Sequence, residues 1–137
     1  MSTCIFCKIV NWETPSQRVY EDDEFIAFLD INPVNFGHTL VIPRAHHPNF
    51  AGTPEDVLCG MIKLAKQIAP AILVAMNAKA FNVTFNSGEE AGQAVHHVHL
   101  HIIPRHADDG HKSWQGRNRY AEGEMGVTAK KIKELIR

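Results

Sequence analysis

Residues 96 to 105 read HHVHLHIIPR, so His97, His99 and His101 alternate with Val98, Leu100 and Ile102. Period-2 alternation is the pattern of a half-buried β-strand, whose successive side chains point to opposite faces at a rise of ~3.3 Å per residue. The apolar set then faces a core. The three imidazoles share the other face, each ~6.6 Å from the next, close enough to converge on one small anion or one metal ion. Pro104 has no N–H to give a ladder, so the strand should end near it. Five of the nine histidines lie between 96 and 106, which makes a chance solvated face a poor explanation.

With 137 residues, 45% of them hydrophobic and 21% charged, the chain suits a single α+β domain. The N-terminus lacks a basic start and an apolar run. No apolar stretch is expected to reach the ~18 to 20 residues of a membrane span, so the expectation is a cytoplasmic protein with no membrane partner. A net charge of −1 argues against nonspecific nucleic-acid binding. Cys4, Cys7 and Cys59 are too few and too clustered for a disulfide framework; reduced thiols or a metal fit better.

Residues 5 to 10 (IFCKIV) form a short turn of helix or strand. RVYE (18–21) and EFIAFLD (24–30) read as a hairpin turned at Asp22 and Asp23, and HTLVIPR (38–44) adds a third strand to an antiparallel meander. Thr53 as N-cap, Pro54 in the first turn and Asp56 as a capping-box variant open one long helix. Its buried stripe is Leu58, Met61, Ile62, Ala65, Ile68, Ala69 and Ile72, with a kink or break expected at Pro70. FNVTFN (81–86) is a strand, SGEEAGQA a loop and HVHLHII the last core strand. His106 to Gly126 is loop-like, and residues 128 to 137 close the chain as a short basic helix.

His97-Val98-His99-Leu100-His101-Ile102-Ile103 resembles the motif of the histidine triad (HIT) family, alternating histidines with apolar residues. The segments GQAV (92–95), NSGEEAG, FLDINP and GHTLVIPRAHH fall in the family's order and spacing, so the resemblance covers roughly residues 4 to 106. Residues 107 to 137 form a tail of the same domain. Within the family the chain looks like the Hint-type branch with an N-terminal CxxC, homodimeric purine nucleoside phosphoramidases and nucleotidyl hydrolases. The resemblance implies a five-stranded antiparallel sheet per subunit with the long helix packed on it, and sheets paired in a homodimer.

A neutral imidazole is a good nucleophile toward phosphorus, and a covalent nucleotidyl-histidine splits one hard displacement into two easier ones. By position in the motif His99 is that nucleophile. His101 can hydrogen-bond a phosphoryl oxygen or protonate the leaving group, and His38 and His97 complete the catalytic set that the resemblance implies. Asn86, Gln93 and the backbone around Ala94 and Val95 are candidates to hold the phosphate. Hint-type proteins commonly have Ser where this chain has Ala94, so one donor is missing. Asp30 corresponds to a ribose-binding carboxylate; alone, it would read as a turn residue before Asn32-Pro33. Ile5, Phe6, Ile9, Phe28, Leu29, Ile31 and Leu40 match positions lining the base pocket in relatives, though such residues are usually core.

A lone CxxC supplies half of a four-ligand zinc site. In some bacterial relatives the site is completed by histidines that correspond here to His46 and His97, which implies a structural zinc at Cys4, Cys7, His46 and His97 and no metal required for the chemistry. Two buried thiols remain the simpler alternative. His47, His96, His106 and His111 read as surface residues. The resemblance thus implies cleavage of AMP-linked or GMP-linked substrates, an AMP-amine or an acyl-AMP. A nucleotide-binding module with incidental hydrolysis, a dinucleoside polyphosphate hydrolase and a metal-binding protein remain open alternatives.

Overall fold

A computed structural model describes residues 3 to 112 and 114 to 137. The elements run α1 (Ile5–Val10), β1 (Arg18–Glu21), β2 (Phe25–Leu29), β3 (Thr39–Pro43), α2 (Glu55–Ala75), β4 (Ala80–Phe85), β5 (Leu100–Arg105) and α3 (Glu124–Leu135), with one 3-10 turn at Glu89–Ala91. All five strands form one antiparallel sheet in the order β1-β2-β3-β5-β4. The hairpin turns where expected, because the Asp22 carboxylate accepts from the N–H groups of Glu24 (2.8 Å) and Phe25 (2.7 Å).

The sheet has two differently used faces. Phe25, Ala27, Val41, Val98, Leu100 and Ile102 form one core with Met61, Leu64, Ala65, Ala69 and Ile72 of α2. Each large side chain buried here contributes about 1.5–3 kcal/mol. Gly60 allows the close approach of helix to sheet, since a Cβ there would lie 2.5 Å from the Phe25 ring. On the opposite face Ile26, Phe28, Leu40 and Ile42 meet Phe6 and Ile9 of α1. The histidine row lies on this second face, so the short α1 covers one part of it and leaves the part nearer β4 to the tail.

Several expectations need correction. The ladder of the last strand begins at Leu100 rather than at His97. Its neighbour β3 ends in Pro43, which has no N–H to offer, and the Val98 N–H goes to the His47 carbonyl instead, at 2.7 Å. Thr53 is not the N-cap of α2: Pro54 occupies that place without a side-chain cap, and the Thr53 hydroxyl donates to the Asn49 carbonyl at 2.6 Å. Pro70 does not break α2, which runs 21 residues, and Ile62 is 48% exposed, outside the buried stripe. By length and composition α2 is long and apolar enough to cross a membrane, contrary to expectation, although its stripe packs on the sheet. The C-terminal helix starts at Glu124, where Gly123 takes a left-handed conformation and the Glu124 carboxylate accepts from the Ala121 N–H.

Candidate active site and metal centre

Although His97 and His99 precede the ladder, the alternation persists through them and sets the three rings on one face. His99 is 6% exposed. Its Nδ1 lies 2.7 Å from the backbone carbonyl of His97. A carbonyl only accepts, so Nδ1 carries the proton and Nε2 presents its lone pair. The Phe6 ring meets His99 edge-on, with centroids 5.1 Å apart, and Phe28 supports Phe6 in turn at 5.5 Å. Burial holds the His99 pKa below its ordinary value, opposed by the bond to the His97 carbonyl and by Asp30. The imidazole is therefore neutral at pH 7 and nucleophilic at Nε2.

A second chain of bonds fixes the neighbouring tautomers. The Val34 N–H donates to His38 Nδ1 at 3.1 Å, which leaves the His38 proton on Nε2, 2.9 Å from His101 Nδ1. His101 then carries its own proton on Nε2. That atom is buried and has no partner among the described residues. A buried N–H left unpaired costs about 1–3 kcal/mol, and it stands ready for an acceptor such as a phosphoryl oxygen. Gly37, with φ +93, turns the chain tightly ahead of His38; a Cβ there would strike Met76 at 2.4 Å. The Asp30 carboxylate accepts from the Asn32 N–H at 2.8 Å and keeps its other oxygen 3.7 Å from His38 Nε2. Asp30 thus makes the turn contact that its sequence context suggests and also lies beside His38.

Burial, reinforced by His99 and His38, pushes the His101 pKa down to about 4; burial chiefly does the same to His97. A histidine depressed on folding leaves stability intact above its unfolded pKa of 6.5, and that stability is lost as pH falls toward the folded value. The urea midpoint should therefore drop between pH 6.5 and pH 4, and His101→Asn should flatten part of that slope. A midpoint constant across this interval would contradict the neutral, buried assignment.

His97 belongs to the other cluster. Its ring is fully buried, and its Nε2–H donates to the Pro43 carbonyl at 2.9 Å, which aims the Nδ1 lone pair at Cys4, Cys7 and His46. Sequence position suggests a catalytic ring here; the ring instead points into the cysteine cluster, and what reaches His99 is the His97 backbone carbonyl. The four ligand atoms lie within 4.8 Å of one another. Tetrahedral zinc with bonds of about 2.3 Å to sulfur and 2.0–2.1 Å to nitrogen requires N···N near 3.3 Å and S···N near 3.5 Å. The observed values are 3.2 Å for His46–His97, and 3.5, 3.4 and 3.6 Å for Cys4–His97, Cys7–His46 and Cys7–His97. The donor set and its spacing fit zinc.

The loop before His97 is organised by Gln93. Its amide donates to the carbonyls of Pro48 (2.7 Å) and Val95 (2.9 Å) and accepts from the Gly88 N–H (2.9 Å). With both amide hydrogens used, Gln93 shapes the loop rather than reaching a ligand. The Asn86 side chain has no hydrogen bond among the described residues, and Ala94 is exposed beside Val95. Phe6, Ile9, Phe28 and Leu40 cluster in one buried core, with Val95 against them. Leu29 does not belong with them. Odd positions of β2 point to the α2 side, and Leu29 lines an apolar groove there with Val19, Ile68 and Met76. Ile31 is 92% exposed on the following loop and Ile5 is 41% exposed at the rim.

A HIT domain model matches residues 11–108. The chain belongs to the HIT family. An uncharacterized HIT-like protein of Methanocaldococcus jannaschii is 50% identical over 107 residues, which is 78% of this chain and 82% of that one. An adenylylsulfatase, HINT3, of Arabidopsis thaliana is 42% identical over 106 residues, covering 77% of this chain and 54% of the plant protein. Among solved structures, a histidine triad nucleotide-binding protein from Candida albicans superposes with TM-score 0.84 at 31% identity, over 96% of each chain. A zinc-bound histidine triad family protein from Mycobacterium smegmatis does so at 0.77 and 34%, over 98% of each. Two of the groups that sequence reasoning missed in this HIT protein are backbone ones, the Val34 N–H and the Pro43 carbonyl, for which a sequence carries no signal.

Proposed function

We propose that the protein is a purine nucleotide phosphoramidase or nucleotidyl hydrolase that cleaves AMP-linked substrates through a covalent intermediate on His99. The observation that carries this is the 2.7 Å bond from His99 Nδ1–H to the His97 carbonyl, which leaves Nε2 as the attacking lone pair. The likeness to an adenylylsulfatase and to a nucleotide-binding histidine triad protein supports the choice of substrate class. Phe6, Ile9, Phe28 and Leu40 receive the base, Asp30 the ribose hydroxyls, and Asn86 with the N–H groups of Ala94 and Val95 the phosphate.

An anionic phosphate beside His38 and His101 raises their proton affinity, so the pair takes up one proton with the substrate. His99 Nε2 attacks the α-phosphorus and the bond to the leaving group breaks. The His101–His38 pair gives its proton to the departing atom. Water then attacks the phosphorus, returns a proton to the pair and frees His99. A zinc ion held by Cys4, Cys7, His46 and His97 would supply a cross-link between α1, His46 and His97 and no chemistry at phosphorus. Cys4 and Cys7 as reduced ligands would suit a cytoplasmic location.

The open β4 edge, with Phe81 and Val83 each 42% exposed, supports pairing with a second copy. A reading as a binding module draws support from Ala94, which lacks a hydroxyl for the phosphate. A panel of AMP-amine, acyl-AMP and diadenosine compounds, assayed with and without chelator on protein sized by light scattering, tests these statements together. Turnover of at least one AMP compound by a dimer is expected. Tight AMP binding with no turnover would leave only the binding module, and a monomer would remove the pairing.

A further inference from the structure

The histidine row does not stop at the catalytic pair. Ile103 and Arg105 continue it on the same face, with Ile103 about 6.6 Å beyond His101. On β4, Thr84 and Asn82 stand opposite His101 and Ile103 in the ladder. Lys112, Trp114 and Arg117 of the tail flank these strands and line with them an open cleft of about 670 Å³ that Asn86 also lines. Thr84, which lines the cleft, is the ladder partner of His101, so the cleft adjoins the histidine row.

Its charge is one-sided. Among the described residues three basic side chains line it and no carboxylate does. Arg105 is already spent: it pairs with both oxygens of Asp109, at 2.7 and 3.0 Å, and donates to Asn82 (2.8 Å) and the His111 carbonyl (2.6 Å). Asp109 also accepts from Asn35 and from the N–H groups of His106 and His111. This brace neutralises Arg105 and fixes the point from which the tail sets out. Lys112 and Arg117 have no ion-pair partner among the described residues, so they are the uncompensated charges. Trp114, 88% exposed, offers an open aromatic face between them.

Resting on the assignment of His99 and His101 as the reacting pair, we propose that this cleft seats the leaving group and selects one that carries negative charge. A phosphate, sulfate or carboxylate attached to the α-phosphate fits it; a neutral amine gains nothing from Lys112 or Arg117. The reaction at phosphorus is unchanged. The cleft decides which AMP derivatives reach it.

Calorimetric titration of the His99→Ala protein, which prevents turnover, tests this with AMP, adenosine 5′-phosphosulfate, ADP and adenosine 5′-phosphoramidate. The phosphosulfate and ADP should bind at least about tenfold more tightly than the phosphoramidate, and the advantage should shrink with salt. It should fall to within about twofold in a Lys112→Glu/Arg117→Glu background, where both residues are exposed and reversal leaves the core intact. ADP against phosphosulfate shows which oxyanion is preferred. Equal affinities for charged and neutral compounds, or a preference that survives the charge reversal, would overturn the cleft assignment while AMP binding still upheld the site. Absence of binding by AMP and all its derivatives would overturn the site itself.

Discussion

Replacing His99 with alanine should abolish turnover of an AMP-amine, by about 10³-fold or more, while AMP binding stays within a few-fold of wild type. His99 makes the new bond to phosphorus in this account, whereas affinity comes from the α1 cluster, Asp30 and the phosphate loop. His101→Ala should behave differently. Its Nε2–H serves the departing atom, so the loss should be large for an amine and small for a leaving group that departs without a proton. Steady-state rates across leaving groups of graded basicity check both variants. A His99→Ala enzyme with an unchanged rate, or a His101→Ala defect independent of the leaving group, would contradict the division of roles.

Zinc removal should produce the second large effect. Helix α1 has six residues, too few to hold itself in water. At one end Arg18 donates to the Ile9 carbonyl at 2.6 Å, and at the other the Cys4 and Cys7 sulfurs meet His46 and His97. Chelation, or Cys4→Ser with Cys7→Ser, should therefore lower Tm by about 10 °C or more, the equivalent of a few kcal/mol. The initial rate of protein that stays folded should fall much less, because no step passes through the ion. Differential scanning calorimetry beside initial rates separates the two. Metal-free protein that is fully stable but inactive would make the ion catalytic.

Much of the fold was legible because apolar alternation and turn chemistry are local. RVYE, EFIAFLD and HTLVIPR became β1 to β3, and the residues between Asp22 and Phe25 turned as their side chains dictate. The missed features were decided by neighbours. Thr53 looks like an N-cap until Asn49 takes its hydroxyl, and Pro70 looks like a break until packing of Ala69 and Ile72 holds the helix together. The site followed the same division. Period 2 placed three rings on one face, but nothing local told that His97 turns into the cysteine cluster while its carbonyl serves His99. Leu29 was assigned to the base pocket from correspondence alone; strand parity sends it to the other face. The charge of the cleft was not legible, because Arg105, Lys112 and Arg117 look alike until Asp109 is seen to pair with only the first.

In the proposed reaction one ring, fixed in one tautomer, attacks phosphorus. Rapid quench of the wild-type protein with an AMP-amine, followed by mass spectrometry of the peptide spanning residues 96 to 105, tests it most directly. A transient adenylyl group should appear on His99, forming and decaying at rates consistent with turnover. An adduct on His38, His97 or His101, or turnover with no adduct, would contradict it.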